Sequence, residues 1–270
     1  MNESIQALIF DLDDTLIRTE LLKMASYARA ISDLGHSEIR EEDILRAFRH
    51  LVGLSRKEIS QKLLDEFHLE RQARDRMSLF DAKFPWEVLA KMRMNHYDRL
   101  INDPEELQGK ERKAVIDVLR KARRLGYKIG LATMSCRNQV ARILDFLGLS
   151  DVFDCIATSE DIQSTKPSPD IYLWVAEKLK VAPVNCLVIE DSPVGVRAAL
   201  AAGMHCIGVP TSMTMESLYS AGILAADLIV DREQDFPGIV KKMLHSGGGC
   251  EGDPFVKINL DTGLNYRNGD

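Results

Sequence analysis

The chain has 270 residues, of which 45% are hydrophobic and 28% charged, a composition typical of a globular protein with a buried core. Its formal net charge is -6, so no overall positive field exists to hold a long nucleic acid, and we expect none as a partner. No apolar stretch has the length needed to cross a bilayer, and the N-terminus lacks a basic segment followed by an apolar one. We therefore expect a cytoplasmic protein with no membrane partner.

The first predicted strand, residues 7–10, ends in acidic residues. Asp11 and Asp13 lie two positions apart where the apolar run stops, and Asp14 follows. Their carboxylates would repel each other unless a cation lay between them. The carboxyl ends of parallel strands also border the ligand crevice of an open α/β sheet. The pattern indicates a metal site, although an acidic turn in which Asp13 or Asp14 caps the next helix would look the same.

Residues 19 to about 103 show helical rather than strand-like spacing of their apolar side chains. Four helical segments are indicated, the last from Trp86 to Ile101, and glycines and prolines lie between them as at helix ends. We predict a small all-helical bundle that is inserted after the first strand and serves as a cap.

From residue 105 onward, strand-like runs alternate with helices. Because this alternation is typical of βαβ units, we predict an α/β fold, with a Rossmann-like parallel sheet core and an inserted all-helical cap domain. The predicted strands are residues 127–132, 155–157, 186–189, 205–209 and 228–230. The predicted helices are residues 110–125, 138–147, 169–179 and 194–202.

The same pattern predicts the domain organisation. No sustained apolar heptad indicates a coiled coil, and we expect a monomer or a weak homodimer. The expected parts are an α/β catalytic core of residues 1–17 and 106–245, a helical cap of residues 18–105, and a flexible Gly-rich C-terminal tail of residues 246–270.

Three later strand ends carry groups that suit a phosphate. Residues 133–135, Thr-Met-Ser, offer hydroxyls and backbone N–H groups ahead of a helix, where an oxyanion binds readily, although a plain helix cap also explains them. Lys166 precedes Pro167, which favours an extended backbone, and its charge would neutralise an anion unless it is simply solvated. Glu190 and Asp191 again follow an apolar run, with a helix cap as the plainer alternative.

Taken in order, these strand ends resemble the four motifs of the haloacid dehalogenase-like (HAD) hydrolase superfamily. The resemblance covers about residues 5–240, and the helical insertion is similar to the superfamily's first type of cap, C1. The four motifs together are far more specific for this superfamily than any single motif is. The matching residues are Asp11-Leu12-Asp13-Asp14-Thr15, Thr133, Lys166-Pro167 and Glu190-Asp191.

The resemblance implies a role for each motif. Asp11 would be the nucleophile that forms an aspartyl-phosphate, and Asp13 would be the general acid/base. These roles need one ionised and one protonated carboxyl, which the closeness of the two acids favours. The implied cofactor is Mg²⁺. Its ligands would be Asp11, the backbone carbonyl of Asp13, Asp191 and, directly or as support, Glu190, while Thr133, Met134, Ser135 and Lys166 would meet the phosphate.

The resemblance also limits the chemistry. Dehalogenases and phosphonatases of this superfamily lack an acid at the position of Asp13, so phosphate esters are implied. We expect a phosphatase whose partner is a small phosphorylated metabolite, such as a sugar phosphate or phosphoglycolate. Similarity to beta-phosphoglucomutase makes a phosphomutase the alternative. A non-catalytic phospho-accepting or binding protein on the same fold is the alternative of another class.

Cap residues would select the substrate. The segment Gly53-Leu54-Ser55-Arg56 resembles a cap loop in which the arginine grips the substrate, although a solvated Arg56 is the plainer reading. Arg93 matches another basic cap position. Lys23 stands where the mutase pattern has a histidine that couples the cap to the acid/base, and Arg18 where many relatives have an aspartate. Because the histidine is missing, we expect the cap to be uncoupled from the acid/base, which favours a phosphatase over a mutase. We expect the four cations Arg18, Lys23, Arg56 and Arg93 to suit a substrate with a second anionic group.

Overall fold

The computed structural model describes residues 4–35, 39–49, 51 and 54–245. Gly53 of the predicted cap loop and the predicted tail, residues 246–270, lie outside the described residues. Within the described part of the chain, no helix is both long and apolar enough to span a membrane.

The described residues form one sheet of five parallel strands in the order β3-β2-β1-β4-β5. All four residues of β1 are buried, as expected for a central strand covered on both faces. The predicted parallel sheet is therefore confirmed. The strands are β1 (Ala7–Phe10), β2 (Lys128–Ala132), β3 (Cys155–Ala157), β4 (Cys186–Glu190) and β5 (His205–Gly208).

The register of β1 brings three strand ends together. Phe10 lies opposite Leu131 of β2 and Ile189 of β4. The acidic residues after β1 therefore lie next to the segments that follow β2 and β4. In an open parallel sheet, this edge is where ligands bind.

Helices cover both faces of the sheet. Side chains of β1 point alternately into two apolar cores. One core is shared with the helices of residues 113–124, 137–147 and 236–245, and the other with the helices of residues 170–179 and 193–201. The helices of this part are α7 (Lys113–Arg124), α8 (Arg137–Leu147), α9 (Asp170–Leu179), α10 (Pro193–Ala201), α11 (Met215–Ala221) and α12 (Phe236–His245).

Between β1 and β2, the described residues before α7 form six helices. A third apolar core joins α1 to α5 and includes Tyr27 and Phe48, whose ring centroids lie 5.3 Å apart. The C-terminal part of α5 packs instead into the core of the sheet, through residues such as Tyr97 and Leu100. These helices are α1 (Glu20–Leu34), α2 (Glu41–Arg49), α3 (Arg56–Glu66), α4 (Glu70–Asp75), α5 (Pro85–Ile101) and α6 (Pro104–Leu107).

The two connections between the sheet and these helices run side by side. Ile17 forms an antiparallel bridge with Glu111, and Arg18 N donates to the carbonyl of Lys110 at 2.8 Å. Arg112 N donates in turn to the carbonyl of Leu16 at 2.9 Å. Because the chain leaves and re-enters at one place, we propose α1 to α5 as a cap that moves about this paired connection.

The predicted strand at residues 228–230 is wrong. Residues Ala226–Leu228 form a 3-10 turn, and Ile229 makes only a single parallel bridge to Gly208, at the edge beyond β5. The 3-10 turn takes Leu228 out of the extended conformation, which leaves only Ile229 and Val230 to contact Gly208. The short helices α4 and α6, and α11 and α12 near the end of the described residues, were not predicted.

Candidate active site

The ammonium group of Lys166 links three of the strand ends. Its Nζ lies 2.8 Å from Asp11 Oδ1, 2.6 Å from Glu190 Oε1 and 3.1 Å from the carbonyl oxygen of Ala132. Burial alone would lower the pKa of Lys166, but the charges of Asp11 and Glu190 raise it above its ordinary value. All three N–H donors of the ammonium are therefore used, and its position is fixed.

Glu190 is held on every side by protein groups. Its Oε1 accepts from Lys166 and from the hydroxyl of Tyr172, at 2.9 Å. Its Oε2 accepts from the backbone N–H and the hydroxyl of Ser192, both at 3.1 Å. With four donors on two oxygens, Glu190 anchors Lys166 here and has little capacity left for a metal ion.

Asp13 is surrounded by hydroxyls and one cation. Its Oδ2 accepts from Ser135 Oγ at 2.6 Å and from Thr133 Oγ1 at 3.4 Å, while its Oδ1 accepts from Thr19. Lys23 Nζ lies 3.4 Å from the same Oδ1. Burial raises the pKa of Asp13, but Lys23 and the hydroxyl groups outweigh this and lower it to about 2.

The loop after β2 gives its hydroxyls to this carboxylate. Ser135 N donates to Thr133 Oγ1 at 3.1 Å, which makes a compact turn beside Asp13. The side chain of Met134 is partly buried and packs against the core shared with α9 and α10. The structure thus places Thr133 and Ser135 where the sequence predicted a phosphate, next to Asp13.

Four buried carboxyl groups crowd the end of β1 and β4. Burial is the main cause that raises the pKa of Asp11 to about 8, that of Asp14 to about 7, and that of Asp191 well above its ordinary value. Together with Glu190, these groups exceed the positive charge that Lys166 brings. A divalent cation would relieve the imbalance, so the residues fit the predicted magnesium ion.

Among the described residues, no three Asp, Glu, His or Cys side chains form a ready-made metal cluster. Magnesium does not require one, since it commonly takes one or two carboxylates and keeps several waters. Asp11 and Asp191, with the carbonyl of Asp13, satisfy that requirement. Glu190 was also predicted as a metal ligand. It fits better as the residue that holds Lys166, because four donors already occupy its two oxygens.

The protonation order of the two catalytic candidates differs from the expected one. Without a metal, Asp11 holds its proton to about pH 8, whereas Asp13 is ionised above about pH 2. The sequence analysis expected an ionised Asp11 and a protonated Asp13. Burial is the main cause that raises the pKa of Asp11, and Glu190 and Asp13 add to it, whereas Lys23 and the hydroxyls of Ser135 and Thr19 lower the pKa of Asp13.

Lys23 lies closer to Asp13, the expected general acid/base, than its sequence position predicted. It is part of α1, and its Nζ contacts both Asp13 and Glu20, the latter at 3.3 Å. The expectation that the first cap helix is uncoupled from Asp13 is therefore wrong. An ammonium replaces the histidine and makes the link directly.

Two arginines of the helical insertion, Arg93 and Arg56, form no ion pair with a carboxylate in the described part of the chain. Arg93 is only 6% exposed, and its guanidinium lies 4.6 Å from the ring centroid of Tyr97 and 5.3 Å from that of Tyr27. Its Nε has no hydrogen-bond partner. At the start of α3, Arg56 is exposed, as the solvated alternative expected, yet desolvation by neighbouring groups and the charge of Arg93 lower the pKa of its guanidinium. Such a pair attracts an anion.

Arg18, the fourth expected cation, is already neutralised. Its guanidinium lies 2.7 Å from Glu233 Oε2, and the same carboxylate lies 3.5 Å from Arg112 Nε. Arg112 itself is buried and donates to the carbonyls of Asp14 and Val209. Arg18 therefore belongs to the base of the cap connection and is not free to bind a substrate.

Sequence reasoning missed several residues that contact the site. Thr19 donates to Asp13, and Tyr172 and Ser192 donate to Glu190. Thr19 and Ser192 each precede a helix, where hydroxyl residues are common for capping alone, so their position gave no further signal. The phenol of Tyr172 gave no signal, because it lies in a helix whose apolar spacing explains its burial.

Two comparisons identify related sequences. The profile described as haloacid dehalogenase-like hydrolase matches residues 8–209, most of the chain. A Bacillus subtilis (strain 168) protein with the provisional name phosphatase YhcW is 44% identical over 105 residues, which cover 39% of this chain and 48% of that protein. The chain thus matches about half the length of that relative. Validoxylamine A 7'-phosphate phosphatase of Streptomyces hygroscopicus subsp. limoneus is 27% identical, covering 82% of this chain and 92% of its own.

A solved structure shows the same fold. Beta-phosphoglucomutase from Clostridium difficile superposes with a TM-score of 0.63 at 27% identity, covering 88% of this chain and 97% of its own. The predicted core of a parallel sheet with a helical cap is confirmed by this similarity. The family match and the similarity to the Streptomyces phosphatase confirm the predicted enzyme class, a hydrolase that acts on phosphate esters.

Proposed function

Because this chain belongs to the haloacid dehalogenase-like hydrolase family, we propose that it is a magnesium-dependent phosphatase that hydrolyses a small phosphorylated metabolite through an aspartyl-phosphate. One observation carries the proposal. Lys166 Nζ lies 2.8 Å from Asp11 Oδ1, while Asp13, two residues on, accepts from Ser135 Oγ at 2.6 Å. A nucleophile, an acid/base and an anion-binding cation thus meet at one sheet edge.

The proposed metal ligands are Asp11, the carbonyl oxygen of Asp13 and Asp191. When bound, magnesium would supply positive charge to the phosphoryl oxygens and keep the carboxylate of Asp11 ionised. Without it, the pKa of Asp11 is raised to about 8, so less nucleophile is available near neutral pH.

In the first proposed step, a carboxylate oxygen of Asp11 attacks phosphorus as the bond to the ester oxygen breaks, and Asp13 gives a proton to that oxygen. In the second step, water attacks the phosphorus, Asp13 takes a proton from the water, and the carboxylate of Asp11 leaves as inorganic phosphate forms. Throughout, Lys166 and Thr133 stabilise charge on the phosphoryl oxygens.

Asp13 must be protonated for the first step, although Lys23 and the neighbouring hydroxyls lower its pKa. A phosphate dianion beside it would raise its pKa by charge repulsion. The same dianion would compete for Lys23, whose charge is the main cause that lowers the pKa of Asp13. Substrate binding itself would therefore prepare the acid.

The substrate we propose carries a second anionic group, as a sugar bisphosphate or phosphoglycolate does. The support is the pair of Arg56 and Arg93, which have no carboxylate partner among the described residues. A planar guanidinium suits a phosphate or carboxylate.

A phosphomutase is the second candidate, and one observation favours it. Lys23, on α1, contacts Asp13 at 3.4 Å and so couples the cap to the acid/base. A mutase must exclude water while its substrate reorients, and such a link would serve that purpose. Incubation with a sugar 1-phosphate and a trace of the sugar bisphosphate separates the two: isomerised sugar phosphate indicates a mutase, and free phosphate indicates a phosphatase.

The cytoplasmic location and the monomeric or weakly dimeric state stay predictions.

The test is release of inorganic phosphate from p-nitrophenyl phosphate and from a panel of small phosphate esters, with Mg²⁺ and with chelator. We expect activity in wild type with Mg²⁺ and a loss of about 1,000-fold or more in Asp11→Asn. Asp43→Asn serves as the control, because Asp43 pairs with Arg40 at the surface. Equal rates in wild type and Asp11→Asn would overturn the proposal.

A further inference from the structure

Tyr172 is a buried residue of α9 that the proposed chemistry does not use. Its side chain is 0% exposed, and its hydroxyl donates to Glu190 Oε1 at 2.9 Å. A buried phenol that is hydrogen-bonded to a carboxylate is a strong, directional contact, because the acceptor is charged.

The hydroxyl of Tyr172 and the ammonium of Lys166 share one oxygen atom. Lys166 Nζ lies 2.6 Å from that Oε1 and 4.9 Å from the ring centroid of Tyr172. The ring therefore forms a wall beside the ammonium, and the hydroxyl fixes the carboxylate that the ammonium binds. No atom of Tyr172 is recorded in contact with Asp11.

The other oxygen of Glu190 is held separately. Ser192 donates to Oε2 through both its backbone N–H and its hydroxyl. Without the hydroxyl of Tyr172, Oε1 would keep only Lys166, and the carboxylate would be free to rotate about its Oε2 contacts. Lys166 would then follow Glu190 and its contact with Asp11 would lengthen.

We propose that Tyr172 is a positioning residue: through Glu190, it holds the ammonium of Lys166 against the nucleophile Asp11. This inference rests on the proposed function, since it assigns Tyr172 to the reaction at Asp11. The relay runs from the Tyr172 hydroxyl to Glu190, from Glu190 to Lys166, and from Lys166 to Asp11.

The test compares wild type with Tyr172→Phe, which keeps the ring and removes only the hydroxyl. With p-nitrophenyl phosphate and saturating Mg²⁺, we expect kcat to fall about 10-fold, with KM changed less than about twofold. Tyr219→Phe is the matched control, since Tyr219 donates its hydroxyl to the surface residue Asp231. Its kcat should equal that of wild type.

A double-mutant cycle separates positioning from general stability. In Glu190→Gln, the charged anchor of Lys166 is gone, so adding Tyr172→Phe should lower kcat by no more than about twofold. A full 10-fold loss in both backgrounds would overturn the inference, as would wild-type kcat in Tyr172→Phe. Asp11→Asn is assayed in parallel: if it is inactive while Tyr172→Phe is fully active, only this inference fails, and if it is active, the proposed function fails.

Discussion

Gly195 leaves room for the carboxylate of Glu190 and for nothing more. A β-carbon built on Gly195 would lie 1.7 Å from Glu190 Oε1 and 1.9 Å from its Cδ. Gly195 is in the first turn of α10, where Ser192 Oγ accepts from its backbone N–H at 3.2 Å. The start of this helix and the anchor of Lys166 are therefore packed against each other.

Gly195→Ala should displace Glu190 and disturb Lys166. A distance this short cannot be relieved without moving the carboxylate or the helix, so we expect kcat for p-nitrophenyl phosphate to fall about 10-fold or more and Tm to decrease. Gly238→Ala in α12 is the control, since its added β-carbon meets no atom within 4 Å. Unchanged kcat in Gly195→Ala would show that Glu190 does not position Lys166.

Arg56→Ala and Arg93→Met should change substrate choice. Each removes a guanidinium from the proposed second anion site, so we expect kcat/KM for a sugar bisphosphate to fall about 10- to 100-fold. The rate with p-nitrophenyl phosphate, which has no second anion, should change less than about threefold. Arg46→Ala is the control, because Arg46 is exposed and pairs with Asp43. Equal losses on both substrates would contradict the assignment.

Stability without metal should fall as pH rises. The folded protein raises the pKa of Asp11 to about 8 and of Asp14 to about 7, so between about pH 4 and pH 8 it binds more protons than the unfolded chain. The free energy of unfolding then decreases with pH, by on the order of 1 kcal/mol per pH unit for one such group. Asp13 does not add to this slope, because its lowered pKa affects stability only in strongly acidic solution.

The measurement is Tm in chelator and in Mg²⁺ at about pH 5 and about pH 8. Because magnesium binds ionised carboxylates, the increase in Tm with Mg²⁺ should be larger at the higher pH. Asp11→Asn should show a smaller pH dependence and a smaller response to Mg²⁺. A Tm in chelator that rises between these pH values would contradict the acid cluster.

Sequence reasoning found the parts of the site that are local to a strand end. Asp11, Thr133 and Glu190 all stand where an apolar run stops, and the parallel register of β1 with β2 and β4 then brings them together. The same reasoning located the helical insertion, because its periodicity persists over many residues.

The sequence did not reveal contacts between residues that are distant in the chain and whose local sequence gives no signal of the contact. Tyr172 is 18 positions from Glu190, and apolar helical spacing alone explains its burial. Gly195 resembles any glycine at a helix start until the carboxylate beside it is placed. The charge of Arg18 was misread for the same reason, since its partner Glu233 is 215 positions away.

The central claim is that Asp11 carries the phosphoryl group, and mass spectrometry of rapidly quenched enzyme tests it most directly. The Asp13→Asn variant should accumulate the intermediate with p-nitrophenyl phosphate, because nitrophenolate leaves without a proton while hydrolysis still needs a base. We predict one added phosphoryl group on the peptide that contains Asp11, and none in the variant that also carries Asp11→Asn. Phosphate release by wild type with no modified Asp11 in any quenched sample, or a modification on another residue, would contradict the account.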